Sequence, residues 1–130
     1  MTKQIILAIG ACYGFISVVL GALGSHALKG VLSPEKLESF EVAVRYQMYH
    51  ALFLLLIGFL FSFHSVLEKT IGWCAVLGTL LFSGSIYLLC MAESWKVNLK
   101  FLGPITPLGG LLLIVAWACL VVWVFKGARI

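Results

Sequence analysis

Residues 41–63 read Glu-Val-Ala-Val-Arg-Tyr-Gln-Met-Tyr-His-Ala-Leu-Phe-Leu-Leu-Leu-Ile-Gly-Phe-Leu-Phe-Ser-Phe. A charged and aromatic stretch runs straight into an apolar one, with no turn residue at the join. The apolar part, residues 51–63, has 13 residues, short of the roughly 20 that a helix needs to cross a bilayer. Starting it at Gln47 gives 17. The span therefore draws Gln47, Tyr49 and His50 into its first turn, and Tyr46 lies one helical turn before His50. Polar groups at that depth must find partners, because lipid offers none.

Composition makes the bilayer the expected solvent. Of 130 residues, 62% are hydrophobic and 11% charged, against about half and a quarter in soluble domains. A single domain of this size has no interior large enough for that much apolar surface. The net charge of +4 is spread among nine separated basic residues, which argues against nucleic-acid binding and suits a modest attraction to anionic headgroups of membrane lipids. Cys12, Cys74, Cys90 and Cys119 all lie in apolar runs and are read as small apolar fillers rather than a disulfide framework.

Outward from the opening stretch, three further spans are expected. Together with about 47–63, they cover about 5–25, 71–92 and 107–125. In the first, Gly10, Gly14, Ser17, Gly21 and Gly24 recur at intervals of four and three. Such a stripe lets another helix approach closely, from this chain or from a second copy in a homo-oligomer. Ser25 and His26 close that helix, where an imidazole meets the negative end of the helix dipole. Ser33 and Pro34 suit the N-cap and first position of the next helix. From Pro34 the pattern is amphipathic, with Leu37, Phe40 and Val44 on one face and Glu38, Glu41 and Arg45 on another. A helix over about 34–46 is expected at the membrane interface, leading into the second span. Residues 64–70 are read as a loop. Trp73 and Trp95 bracket the third span as interfacial anchors. Gly103-Pro-Ile-Thr-Pro107 breaks the chain, and Thr106 with Pro107 would cap and begin the last helix.

The fold class that follows is all-α: an integral membrane four-helix bundle with an amphipathic interfacial helix leading into the second span. Both termini fall on one side. Basic residues do not decide which: Lys3, Lys69, Lys126 and Arg129 stand against Lys29, Lys36, Arg45, Lys96 and Lys100. The acidic residues of the first loop tilt the balance towards cytoplasmic termini.

Four blocks carry a resemblance. They are Gly-Ala-Leu-Gly-Ser-His-Ala-Leu at 21–28, Val-Arg-Tyr-Gln-Met-Tyr-His-Ala-Leu at 44–52, Leu-Phe-Ser-Gly-Ser-Ile-Tyr-Leu at 81–88 and Gly-Pro-Ile-Thr-Pro-Leu-Gly-Gly at 103–110. In this order, over essentially the whole chain, they resemble the bacterial membrane family called domain of unknown function 423, related to the eukaryotic transmembrane protein 256. The family pattern usually has alanine where this chain has Ser25. The resemblance implies a four-helix protein of the bacterial inner membrane and brings no activity with it.

Candidate chemistry is sparse. His26, His50 and His64 lack the i, i+3 or i+4 pairing common in helical metal sites, so no metal or other cofactor is expected. No nucleophile elbow accompanies Ser25, Ser83 or Ser85, and an enzyme is not expected. Glu41 and Arg45 are four apart, which fits an ordinary surface ion pair worth about 0.3–0.5 kcal/mol or, less readily, an anion clamp. In an antiparallel bundle, however, Ser25, His26, Glu41, Arg45, Tyr46, Gln47, Tyr49, His50, Tyr87, Glu93 and Thr106 all gather near one membrane face. The expectation is a binding or transport-related module receiving a lipid headgroup, small polar ligand or partner protein there. The alternative is a structural or assembly protein whose polar groups only tie the helices together.

Overall fold

The apolar runs and their caps produce four helices in a computed structural model, which describes residues 1–127. Arg129, counted above on the terminal side, lies outside them. The helices are α1 (Thr2–Ser25), α2 (Pro34–Leu60), α3 (Val66–Met91) and α4 (Ile105–Phe125), with a 3-10 turn at Lys100–Leu102 before α4. All four are long and apolar enough to cross a membrane. The chain is an all-helical membrane bundle.

Ser33 starts α2 as its sequence suggests, its hydroxyl accepting from the Lys36 N–H at 3.3 Å with Pro34 at the first position. The segment expected at the interface and the second span form one uninterrupted helix. Its 27 residues make it about 40 Å long at 1.5 Å per residue, longer than a hydrocarbon core of about 30 Å, so one end stands clear. The helix stops at Leu60, three residues before the expected limit.

Two other boundaries differ from expectation. The third helix begins at Val66, inside the stretch read as a loop, because Ser65 caps it by accepting from the Glu68 N–H at 3.2 Å. The fourth begins at Ile105 with Pro104 at its N-cap, and Thr106 caps nothing. Its hydroxyl goes to α3 instead.

Packing is pairwise. α1 lies against α2, and α4 against α3, while α2 and α3 join the pairs. The glycine stripe of α1 seats α2 of the same chain. A Cβ on Gly10 would stand 3.0 Å from Leu54 Cβ and 3.2 Å from Ala51 O; Gly14, Gly21 and Gly24 face Ala51, Val44 and Phe40. Ser17 is buried in the same row. A homo-oligomer therefore finds no support in this stripe, whose partner is already supplied. The α3–α4 seam is tighter still: a Cβ on Gly109 would fall 2.3 Å from Phe82 N.

The core lies low between the pairs, where Ile6, Leu54, Ile57, Phe61, Ile71 and Ala116 are buried together. Outward faces remain apolar, with Phe15 72%, Phe59 71% and Ile114 65% exposed. In water such faces would drive association. Against hydrocarbon they cost nothing, so a membrane bundle can leave this much apolar surface uncovered.

Candidate functional site

The polar residues sort into four groups. The first is closed inside the bundle. Gln47, on the inner face of α2, accepts the Tyr87 hydroxyl at 2.7 Å through Oε1 and donates from Nε2 to the Tyr13 carbonyl at 2.9 Å. Three helices are thereby stitched by one amide. Tyr13 donates its own hydroxyl to Val76 O at 2.9 Å, and Ser83 donates to Ala43 O at 2.8 Å. At the head of α4, Ser85 donates to Phe82 O, so Thr106 must be the donor to Ser85 Oγ at 2.5 Å.

The second group lines a groove between α2 and α4. These two helices touch only through large side chains, because both lean on α3, and the space left measures about 770 Å³. Tyr46, His50, Phe82, Pro107, Ile114 and Trp117 line it. His50 Nδ1 lies 2.7 Å from the Tyr46 carbonyl, and the Trp117 indole N–H reaches His50 Nε2 at 3.1 Å. A carbonyl can only accept and an indole N–H can only donate. The imidazole is therefore neutral, with its proton on Nδ1. The walls are otherwise apolar and open sideways into the bilayer.

The third group sits at the rim between α1 and α2, where Ser25, Glu41 and Arg45 border a notch of about 240 Å³. Ser25 donates to Gly21 O at 3.1 Å. Glu41 and Arg45 are exposed and not closed upon each other. The ion pair among the described residues is instead Lys36–Glu93. There the hydrogen bond from Lys36, and then its charge, hold the Glu93 carboxyl below the usual carboxylate range. His26 is exposed and enters none of these arrangements; Tyr49 is exposed, its ring 5.8 Å between centroids from that of Tyr46.

The fourth group lies at the opposite membrane face and was not anticipated. Lys3 donates to the carbonyls of Phe59 and Phe61 at 3.2 and 3.0 Å, capping the end of α2. Glu68 accepts from Phe63 N at 2.7 Å, and from Ser62 Oγ and Trp123 Nε1 at 3.2 Å each. The sequence carried a signal for it, since Ser65-Val-Leu-Glu68 has the spacing of a capping box. Tyr13 and Trp117 carried none, as single aromatics in apolar runs. The polar side chains thus do not all gather at one end: Gln47, Tyr87 and His50 lie deep, and Glu68 lies across the bilayer.

These features define a small integral membrane protein of four helices, closed by buried polar links and without a group of three or more potential metal ligands among the described residues. The chain belongs to the family described as "Protein of unknown function (DUF423)", which matches residues 20–110. It is similar to a UPF0382 membrane protein of Staphylococcus haemolyticus, 40% identical over 123 residues that make up 95% of this chain and 97% of that one. UPF0382 membrane protein YwdK of Bacillus subtilis is 37% identical over 125 residues, 95% of this chain and 98% of the relative. A eukaryotic relative, a UPF0382 membrane protein of Schizosaccharomyces pombe, is 39% identical over 117 residues, covering 88% and 96%. No solved structure matches.

Proposed function

We propose that this protein is a binding module for a membrane-dissolved amphiphile, working without catalysis in a bacterial inner membrane with its termini in the cytoplasm. One observation carries the reading: the 770 Å³ groove between α2 and α4. Its volume falls within the roughly 300–1,000 Å³ of small-molecule sites, and its apolar walls with few polar atoms match their usual lining. The apolar body of the ligand lies against Leu111, Ile114 and Val121, with its polar end towards the Tyr46 hydroxyl. Both ring nitrogens of His50 are engaged, which leaves no free base beside a nucleophile and supports binding rather than hydrolysis.

Filling the groove tests this. Gly110→Leu is suitable because a Cβ there meets only Phe82 ring atoms, at 3.6 and 3.8 Å. Wild-type protein extracted in mild detergent is expected to carry one more bound amphiphile in native mass spectrometry than the variant, which keeps its helicity and melting point. Equal retention by both proteins would refute the proposal.

The closed Tyr13–Gln47–Tyr87 chain favours a second reading, a structural or assembly protein whose polar groups act as ties. Under it, the two proteins carry the same ligand load, and substitutions in the Tyr13–Gln47–Tyr87 chain alter only stability.

A further inference from the structure

The rim notch between α1 and α2 lies on the other side of α2 from the lateral groove. We propose that it seats the headgroup of a zwitterionic phospholipid bearing a primary ammonium, with Arg45 on the phosphate and Glu41 on the ammonium. The two side chains stand one helical turn apart and line the same cavity of about 240 Å³. Among the described residues, neither makes a salt bridge or side-chain hydrogen bond. Opposite charges held apart in one recess complement a headgroup whose own charges are separated. A purely anionic headgroup would meet the Glu41 carboxylate as repulsion.

Two further features agree. The last turn of α1, with Gly24 and Ser25, borders the notch, and its carbonyls supply the negative end of a helix dipole beside the ammonium. Gly21 and Gly24 bring no side chain into the recess, so its floor is formed by Phe40 and Val44, apolar surface along which an acyl chain can leave. Arginine is suited to the phosphate because its planar fork gives two parallel N–H donors.

The test compares three lipids on the full-length protein. Wild type, Glu41→Gln and Arg45→Gln are equilibrated with mixed vesicles holding equal phosphatidylethanolamine, phosphatidylcholine and phosphatidylglycerol, then extracted and weighed by native mass spectrometry. Wild type is expected to enrich phosphatidylethanolamine over both competitors by about tenfold, the scale of one charge-assisted hydrogen bond. Phosphatidylcholine has no ammonium N–H to give Glu41, and phosphatidylglycerol has no cation. Glu41→Gln erases the preference while phospholipid is still held; Arg45→Gln lowers retention of all three. Both residues are exposed, so melting points should not move. A preference that survives Glu41→Gln, retention that survives Arg45→Gln, or wild type holding the three lipids equally overturns the assignment. Gly110→Leu blocks only the lateral groove and leaves this retention intact, so the two sites fail or succeed separately.

Discussion

The indole of Trp117 on α4 donates to His50 Nε2 on α2 at 3.1 Å, and this bond spans two helices whose backbones do not approach each other. It sets the tautomer of a buried histidine and the width of the groove above it. Trp117→Phe keeps an aromatic ring but removes the donor, leaving Nε2 unpaired. The expected loss is about 0.6–1.7 kcal/mol, the range of hydrogen bonds between membrane helices. His50→Ala should cost more, since it also removes ring packing on Phe53 and Trp117. Unfolding of both variants by denaturant titration in detergent measures the order; equal losses would mean that the bond alone matters.

Gln47→Leu cuts the chain between Tyr87 and Tyr13. The leucine is similar in volume, so the effect reports polarity rather than a cavity. Tyr87 is left with a hydroxyl lacking its partner, a loss of about 1–3 kcal/mol where the group stays dry. Tyr87→Phe on the Gln47→Leu background should recover much of it, because the orphaned group is then gone. A double-mutant cycle by thermal melting reads this coupling, and strict additivity would show that the two side chains do not depend on each other.

The helix number and order were legible in the sequence because long uncharged runs leave a chain few options in a bilayer. Register was partly legible: the glycines of α1 announced a close approach, but not that α2 would fill it. Helix ends were harder. Ser65 and Glu68 outweigh the charge of their segment and start α3 early, while Thr106 is drawn from its cap by Ser85. The site was least legible. Gln47 and Arg45 are two residues apart, yet one turns inward to Tyr13 and the other outward to the notch. That difference is a matter of helix rotation, which a few polar residues do not set by themselves. The Lys36–Glu93 pair is 57 apart in sequence and follows only from the fold.

Gly109→Ala should damage the fold far more than Gly84→Ala. At Gly109 a methyl meets backbone atoms of Leu81 and Phe82, which have no rotamer to change; at Gly84 nothing lies within 4 Å. Overpacking of this kind costs about 1–3 kcal/mol, whereas the open site should change stability by less than about 1 kcal/mol, with alanine the better helix former. Melting temperatures of the two variants make the comparison. A tolerant Gly109→Ala would mean that α4 can slide along α3.

The Lys36–Glu93 pair gives a pH dependence of known sign. The folded carboxyl titrates below its unfolded value, so the tie contributes fully above the unfolded pKa and is lost as pH falls through the folded one. Glu93 is exposed, and solvent screening keeps the effect small. Wild type should lose its slight advantage over Glu93→Gln on acidification, and also in high salt at neutral pH. Melting curves at both conditions test this, and an advantage insensitive to both would assign it to something other than charge.

Glu68 should prove the most costly polar substitution at the far end of the bundle, where it is half-buried. Its carboxylate holds the turn between α2 and α3 from two sides. It accepts from Phe63 N, whose residue sits at φ 60, a left-handed conformation that a bulky side chain rarely adopts. It also accepts from Trp123, tying the end of α4 to the start of α3. Phe63 tolerates the strained backbone because its ring is buried against Phe61 at 5.6 Å between centroids. Glu68→Ala removes three hydrogen bonds to one charged group at once, so a loss of about 2–4 kcal/mol is expected. Glu68→Gln retains one acceptor oxygen and should lose about half as much. The loss should be local first: residues 61–65 should become accessible to protease and exchange their amides faster, while the Tyr13–Gln47–Tyr87 region stays protected. If Glu68→Ala leaves exchange in that turn unchanged, the buried ring of Phe63 alone holds it, and the carboxylate is a passenger.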